Sequence, residues 1–342
     1  MSPSPLQHVM LVEAIAAGAP IALRLAAAMT GRIAADLGAR VVVLDDGGDP
    51  LGALTPQAKG GGSAAKAFLS AGKQVVIDAP ARRAELYAAA DAIVTDTERV
   101  DVTGAQAIQV VLSMVPGERR PEPPHSEFTI LALSGMLDVI GDPDGTPQRL
   151  GGHQLAYAAG LAAYAGLSAA LLRRPEPETV RVALLEVAIW LNWKSIASAA
   201  IMNAVPHRAG RASEWPVVRC ADGYVAVVYQ PDDWPALRRL CGDERLAQER
   251  FATASARRGH ALELADIIEA SLSSYTRREL QDRALSLRLP LGPVWRVDEV
   301  AQEPHMTARG FFAGPDQAPR FPMLWNGQPL AAAASAVVDQ TG

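Results

Sequence analysis

The side chains that most often carry out chemistry are few and widely spaced in this chain. Its two cysteines, Cys220 and Cys241, are too few for a zinc site built from four cysteines or for a disulfide-dense scaffold. No GxGxxG, GxxxxGK[ST], HExxH, CxxC or GxSxG sequence is present. The six histidines fall at scattered positions: His8, His125, His153, His207, His260 and His305. Local motifs alone therefore assign no reaction.

Composition narrows the class of protein. The 342 residues carry 32 basic and 37 acidic side chains, a net charge of -5, which argues against a nucleic-acid-binding protein. The opening MSPSPLQH lacks the basic and apolar regions of a signal peptide, so we expect a cytoplasmic protein. The uncharged segment Leu155–Leu172 is long enough to cross a membrane. Because it is rich in Ala and Gly rather than Leu, Ile and Phe, a buried helix and no membrane contact are predicted.

Alternating strand and helix patterns predict the elements that must position any site. The apolar run Pro20–Leu25 is interpreted as a strand, Ala26–Ala39 as a helix, and Arg40–Asp46 as a buried strand. The further predicted strands are Lys73–Ala79, Ala92–Asp96 and the segment AQAIQVVLSMV. This βαβ order is typical of an α/β protein with a doubly wound parallel sheet, whose ligands bind where the strand order reverses.

The second part of the chain has a different pattern. Two long helices are predicted at Gln154–Arg174 and Val182–Ile201, and an alternating strand at Asp222–Tyr229 is followed by short amphipathic helices. We therefore predict a large Rossmann-like domain over residues 1–200 and a small α+β domain over 201–304. A C-terminal segment, 305–342, is expected to return toward the large domain.

Four segments carry a family resemblance when they are taken in their order along the chain. They are AADLGARVVVLDDGGDP, LALSGMLDVIGDPDGTPQRLG, GLAAYAGLSAALLRR followed by VRVALLEVA, and LPLGPVWRVDEVAQEPHMTARGFF. With the segments between them, from about Pro20 to Phe312, they resemble the class III CoA-transferases. That family includes the carnitine, bile-acid and formyl-CoA transferases and the related 2-methylacyl-CoA racemases.

The resemblance implies both a reaction and an architecture. In that family an aspartate attacks an acyl thioester, and CoA passes between carboxylates through an aspartyl anhydride and an enzyme-bound thioester. The implied fold is an interlocked homodimer, in which each two-domain subunit threads through a ring formed by the other. CoA or acyl-CoA is then a substrate that lies against the doubly wound domain, with no covalently bound cofactor and no metal.

The position that corresponds to the family aspartate is occupied by Ala156 in this chain. A methyl group cannot attack a thioester, so the residues predicted to act in its place are Glu127 and His153. Glu127 matches a carboxylate of the racemase segment, and His153 precedes Ala156 by about one helical turn. Ser126 stands where the racemases carry a histidine, so Glu127 alone cannot supply the two acid–base groups of racemisation.

The predicted CoA-binding side chains are charged residues of the doubly wound domain. Lys73 matches a lysine of the family and is a candidate contact for a CoA phosphate. Asp96 takes the place of an asparagine and adds negative charge near a polyanionic nucleotide. Arg40 and Arg99 are the cations expected to compensate for it.

Three functions stay open. The first is an altered CoA-transferase that binds acyl-CoA and uses Glu127 or His153 in place of the aspartate. The second is a non-catalytic structural or regulatory subunit, paired with an active paralogue in a heterodimer rather than with a copy of itself. The third is another acyl-CoA reaction, such as an isomerase or a lyase, on the same scaffold, because a fold alone does not fix the chemistry.

Overall fold

A parallel β-sheet forms the centre of the larger of two units into which the chain folds. The computed structural model describes residues 4–48, 50–57, 61–97, 107–117, 125–202, 205, 208–313, 318–330 and 337–339. The large unit comprises Met1–Asp138, Arg149–Val205 and Gly310–Gly342, and the small unit comprises Val139–Gln148 and Pro206–Arg309. Residues 139–148, which the sequence assigns to the first domain, thus belong to the small unit.

The elements fall into three stretches of the chain. The first stretch of the large unit contains β1 (Met10–Ala14), α1 (Ile21–Asp36), β2 (Arg40–Asp45), α2 (Ala64–Ser70), β3 (Lys73–Ile77), α3 (Pro80–Ala89), β4 (Ala92–Thr95), β5 (Ile108–Ser113), α4 (Glu127–Leu133), α5 (Gln154–Leu172), β6 (Thr179–Ala183), α6 (Leu184–Leu191) and α7 (Trp193–Met202). The small unit contains β7 (Val217–Cys220), β8 (Gly223–Val227), α8 (Trp234–Cys241), α9 (Ala254–Gly259), α10 (Ala261–Leu272), α11 (Arg277–Ser286), β9 (Leu291–Pro293), α12 (Val297–Val300) and α13 (Pro304–Ala308). The last stretch returns to the large unit with β10 (Phe312–Ala313), β11 (Ala318–Pro319), β12 (Leu324–Trp325), β13 (Gln328–Pro329) and β14 (Val337–Asp339).

The central sheet has the order β14–β3–β2–β1–β4–β5–β6 among the described strands, and every neighbouring pair is parallel. The strands β1 to β5 are mostly apolar runs buried on both faces, as expected when helices cover a parallel sheet. Chain order reverses between β1 and β4, which makes their carboxyl ends the switch point of the sheet. The predicted α/β fold with a parallel sheet is confirmed.

The beginning of the chain corrects one prediction. The segment Pro20–Leu25 is not a strand, because α1 begins directly after Pro20. Proline suits the start of a helix, and the alanines that follow have the highest helix propensity. The first strand is instead β1, which the pattern does not reveal because the charged Glu13 interrupts its apolar run.

The predicted helix Val182–Ile201 is divided in the structure. Its first residues end β6, and the remainder forms α6 and α7 with a bend of 62° between them. The break falls at Asn192, whose backbone N–H donates to the carbonyls of Ala188 and Ile189, both at 3.1 Å. The Asn192 side chain also donates to the carbonyl of Ser134 at 3.4 Å, and this contact favours the bend over a continuous helix.

The apolar helix α5 packs against α1 in the core of the large unit. Gly160 allows the close approach, because a Cβ at this position would lie 2.7 Å from the carbonyl oxygen of Ala26 and 2.7 Å from Cβ of Met29. The hydroxyl of Thr30 donates to the carbonyl of Gly160 at 3.1 Å and joins the two helices. α5 is long and apolar enough to span a membrane, as is the bent pair α6 and α7 taken together, but α5 is a partly buried core helix.

The small unit is an α+β structure around the antiparallel strands β7, β8 and β9. Arg277 in α11 connects that helix to α12, because its Nη1 and Nη2 donate to the Glu299 carboxylate at 2.7 and 2.9 Å. The centroid of the Trp295 ring lies 5.0 Å from the guanidinium carbon. The hydrogen bonds from Arg277, reinforced by the backbone N–H of Arg296, lower the pKa of Glu299 to about 2. A buried arginine is thus neutralised by a carboxylate from a segment 22 residues away.

Candidate active site

The carboxylate of Glu127 lies at the N-terminus of α5, although Glu127 itself belongs to α4. Its Oε1 accepts hydrogen bonds from the backbone N–H groups of Leu155 at 3.0 Å and Ala156 at 3.1 Å. Its Oε2 lies 2.7 Å from Nδ1 of His153. The start of α4 is fixed by a capping box between Ser126 and Thr129, which holds Glu127 in this place.

The Glu127 carboxylate pairs with the free N–H groups at the start of α5 and places a negative charge beside them. The first N–H groups of a helix have no partner within it, and the helix dipole favours a negative charge beside them. The residue before α5 provides no side-chain cap of its own, so Glu127 supplies one from another helix. Glu127 is only 7% exposed, and both of its oxygens are engaged. A carboxylate held in this way is a poor nucleophile, because attack would require it to give up its hydrogen bonds.

His153 is the more accessible member of the pair. Its side chain is 31% exposed, and only Nδ1 is hydrogen-bonded within the part of the chain that the structure describes. When Nδ1 donates its proton to Glu127, Nε2 carries the lone pair. A carboxylate that orients an imidazole in this manner is the arrangement that general-base and nucleophilic histidines use.

Ala156 lies in the helix beneath this pair and is fully buried. Its methyl group belongs to the apolar core that α5 forms with α1. The next residue, Tyr157, is half-buried, and burial together with the charge of Glu127 raises the pKa of its phenol. The structure therefore brings Glu127, His153 and the backbone of Ala156 together.

A second polar group lies at the switch point of the sheet. Oδ1 of Asp96, directly after β4, accepts from the backbone N–H of Ala16, shortly after β1, at 3.0 Å. Arg24, in the first turn of α1, donates to the carbonyl of Ala16 at 2.7 Å and to Asp46, after β2, at 2.9 Å. Burial opposes ionisation of Asp46, but the hydrogen bond and charge of Arg24, together with hydrogen bonds from backbone N–H groups including that of Gly48, outweigh it and lower the pKa of Asp46.

Arg24 is the cation at this edge that sequence reasoning missed. Only its position in the chain could have indicated this role, because the first turn of the helix after β1 lies at the carboxyl edge of a doubly wound sheet. α5 leads into β6, so by the same topology its N-terminus, with Glu127 and His153, also faces this edge.

The predicted phosphate contact Lys73 is placed differently. Its ammonium is 1% exposed and donates to Glu13 at 2.6 Å and to the carbonyl of Ala28 at 2.7 Å. Burial raises the pKa of Glu13 and lowers that of Lys73, and each partner opposes the shift of the other. Gly31 makes room for the pair, since a Cβ there would lie 1.7 Å from Oε1 of Glu13. In place of a surface lysine beside a ligand, the structure has an internal ion pair.

Arg40 is also separated from the switch point. It is the first residue of β2 and lies opposite Met10, the first residue of β1, so it is at the amino edge of the sheet. Its contact is a weak hydrogen bond of 3.4 Å to Gln74. Arg99 lies outside the described residues. No group of three or more metal-ligating side chains occurs within the described ranges.

Residues 116–336 match the sequence profile of CoA-transferase family III. The chain belongs to this family. This match confirms the resemblance found in the sequence. The family acts on acyl-CoA substrates.

Curated relatives match over part of their length. A succinate–glutarate CoA-transferase from Agrobacterium fabrum is 29% identical over 195 residues, 54% of this chain and 48% of the relative. A formyl-CoA:oxalate CoA-transferase from Streptomyces avermitilis is 26% identical over 238 residues, 62% of this chain and 58% of the relative. The chain thus spans about half the length of the curated relatives it matches.

Solved structures extend the likeness of fold to the whole chain. A CAIB/BAIF family protein from Brucella suis is 24% identical, with a TM-score of 0.83 over 97% of this chain and 95% of that one. A hypothetical protein from Mycobacterium tuberculosis is 21% identical, with a TM-score of 0.80 over 98% and 97% of the two chains. At these identities the match establishes the fold alone.

Proposed function

We propose that this chain is an acyl-CoA-binding subunit for CoA transfer between carboxylates, in which position 156 carries no nucleophile. The observation that favours this proposal is the lack of a free carboxylate at the start of α5. Ala156 is fully buried, and the neighbouring carboxylate of Glu127 is held by three hydrogen bonds. The carboxylate that accepts the acyl group would then come from a partner chain. The acyl donor binds along the carboxyl edge of the sheet, near Arg24 and Asp96, in the cytoplasm.

An exposed apolar surface supports the presence of a partner subunit. On α6 and α7, Trp190 is 73% exposed, Trp193 63% and Ile201 82%. Large apolar side chains exposed on neighbouring helices are typical of a protein interface. The partner is either a second copy of the chain, in the interlocked form implied by the family, or a paralogue that carries the aspartate.

A second candidate function uses His153 as the reacting group. The observation that favours it is the oriented imidazole, whose Nε2 has no hydrogen bond to the described residues. In this reaction Nε2 attacks the thioester carbonyl, the C–S bond breaks, and CoA leaves as the thiolate. Water then hydrolyses the acyl-imidazole to the free acid, or an acceptor carboxylate takes the acyl group as a mixed anhydride. In the second case the CoA thiolate attacks the acceptor carbonyl of the anhydride, which forms the new thioester and releases the first acid as its carboxylate.

Calorimetric titration with CoA tests the premise that both candidates share. We expect saturable binding, and an absence of binding at millimolar CoA would overturn both. Native mass measurement of the purified chain, alone and mixed with a homologue that carries the aspartate, then identifies the partner.

Trapping with hydroxylamine separates the two candidates. The protein is incubated with acyl-CoA, and its intact mass is followed before and after hydroxylamine. The first candidate predicts no adduct on the parent chain and a hydroxylamine-sensitive adduct on Ala156→Asp, with Ala156→Asn as the control of equal shape. The second predicts an adduct on the parent that disappears in His153→Gln and persists in His8→Gln, a change at an exposed histidine. An adduct that survives His153→Gln but is lost in Glu127→Gln would contradict both.

A further inference from the structure

The small unit contains a buried guanidinium that lacks a carboxylate partner. Arg257, in α9, is 4% exposed. Its Nη1 donates to the carbonyls of Phe251 at 2.9 Å and Ala252 at 3.4 Å. None of the carboxylates that the structure describes forms an ion pair with it, and this absence distinguishes it from Arg277, whose Nε is likewise buried without a hydrogen-bond partner. A buried charge without a counter-charge is costly, so this one requires an explanation.

Each of the other buried basic side chains in the described part of the chain forms an ion pair with a carboxylate. Arg32 pairs with Asp36 at 2.9 Å, Lys73 with Glu13 at 2.6 Å, and Arg277 with Glu299 at 2.7 Å. Arg257 instead lies over the ring of Trp234, 4.4 Å from its centroid, and 5.7 Å from that of Tyr229. Aromatic faces stabilise a cation but do not neutralise it. The positive charge of Arg257 is therefore still available to an anion.

Arg257 also lines a cavity of about 170 Å³ within the small unit. The residues that line the cavity include Ser213, Glu214, Tyr229 and Arg258. Arg258 is exposed and pairs with Glu214 at 3.4 Å, which leaves the cavity with a net positive charge. The pKa of a phenol is ordinarily about 10, so the Tyr229 hydroxyl is neutral at pH 7 and is able to donate a hydrogen bond. Burial raises this pKa further, and the charge of Arg257 and its hydrogen bond to Tyr229 oppose the shift. A cavity of this volume has room for a small organic acid.

We infer that this cavity binds a short carboxylate whose oxygens supply the counter-charge of Arg257. A guanidinium presents its donors in a planar fork that matches the two oxygens of a carboxylate. The site lies wholly in the small unit and shares no residue with the acyl-CoA site that we propose at the carboxyl edge of the sheet.

Calorimetry and thermal unfolding of the full chain test this site, with acetate, malonate and succinate as the probes. Chloride keeps the ionic strength constant, so general salt effects cancel. We expect saturable binding with a millimolar dissociation constant for at least one of the three acids. Phosphate and sulfate serve as competing probes. An absence of saturable binding at tens of millimolar, or equally strong binding of sulfate and phosphate, would overturn the assignment.

Variants locate the binding. We expect Arg257→Lys to retain the charge but weaken carboxylate binding about tenfold, because the fork is lost. Tyr229→Phe keeps the ring beside Arg257 and removes only the hydroxyl, so a severalfold weakening is expected in a folded protein. Arg238→Gln, an exposed change outside the cavity, should leave binding unaltered. Unchanged affinity in both Arg257→Lys and Tyr229→Phe would place the anion elsewhere.

Discussion

The internal pair of Glu13 and Lys73 gives the sharpest test of the large unit, through the substitution Gly31→Ala. The added Cβ would lie 1.7 Å from Oε1 of Glu13, 2.8 Å from its Cδ and 3.1 Å from a methyl group of Val41. The carboxylate must therefore move away from Lys73, which is now 2.6 Å distant. Separating two charges from that distance to ~4.5 Å costs about 3 kcal/mol at an effective dielectric constant of about 20.

Two further effects bear on the size of the change. Alanine is favoured over glycine inside a helix by about 1 kcal/mol, which offsets part of the loss. A buried charge left without its partner costs about 3–5 kcal/mol in other proteins. We therefore expect Gly31→Ala to reduce the free energy of unfolding by about 2–4 kcal/mol. For a unit of this size each kcal/mol lowers the unfolding temperature by roughly 2–4 °C.

Denaturant and thermal unfolding followed by circular dichroism provide the assay. Gly18→Ala is the matched control in the same unit, because nothing lies within 4 Å of its added Cβ. The substitution is then repeated in a Glu13→Ala background, where the obstructing carboxylate is absent and the cost should shrink. A Gly31→Ala protein as stable as the control, or an equal loss in both backgrounds, would refute the reasoning.

Three other outcomes are expected. Glu127→Gln removes the negative charge from the N-terminus of α5 and should destabilise the protein by about 1–2 kcal/mol in thermal unfolding; no change would mean that the hydrogen bonds to α5 carry no net stability. Glu299→Gln should be less stable than the parent near neutral pH, because a carboxyl with a lowered pKa stabilises the fold above its unfolded pKa of about 4.3. That difference should fade as the pH falls toward about 2, the pKa of folded Glu299, and a difference that grows in acid would contradict it. For the proposed dimer, Trp193→Glu should reduce the dimeric fraction in sedimentation while leaving the circular dichroism unchanged, and an unaltered dimeric fraction would show that α7 is not part of the proposed interface.

The parts of the fold that the sequence predicts are those with strong local patterns. β2 to β5 are short β-branched runs between turns, and each lies close to its predicted place. β1 is missed because its charge at Glu13 is stabilised by Lys73, a partner 60 residues away that no local pattern shows. For the same reason Lys73 resembles a surface lysine in the sequence and is an internal one in the fold.

In the candidate site too, the sequence predicts which residues matter but not the contacts that they make with distant parts of the chain. Family resemblance singles out Glu127, His153 and Ala156, and the structure places them together at one helix start. The resemblance does not predict that Glu127 caps α5, because the residues in contact are 28 and 29 positions apart in the chain. Nor does any motif predict the Arg257 cavity, whose walls come from three separate stretches of the small unit.

The position of β14 has a consequence for biosynthesis. This strand pairs with β3 at one edge of the central sheet, although the whole of the small unit lies between the two in the chain. On a ribosome, β3 emerges long before its outer neighbour, so its edge stays open while some 260 further residues are translated. An open strand edge is a template for pairing with other chains. The nascent polypeptide is therefore open to aggregation at this edge until β14 has been made.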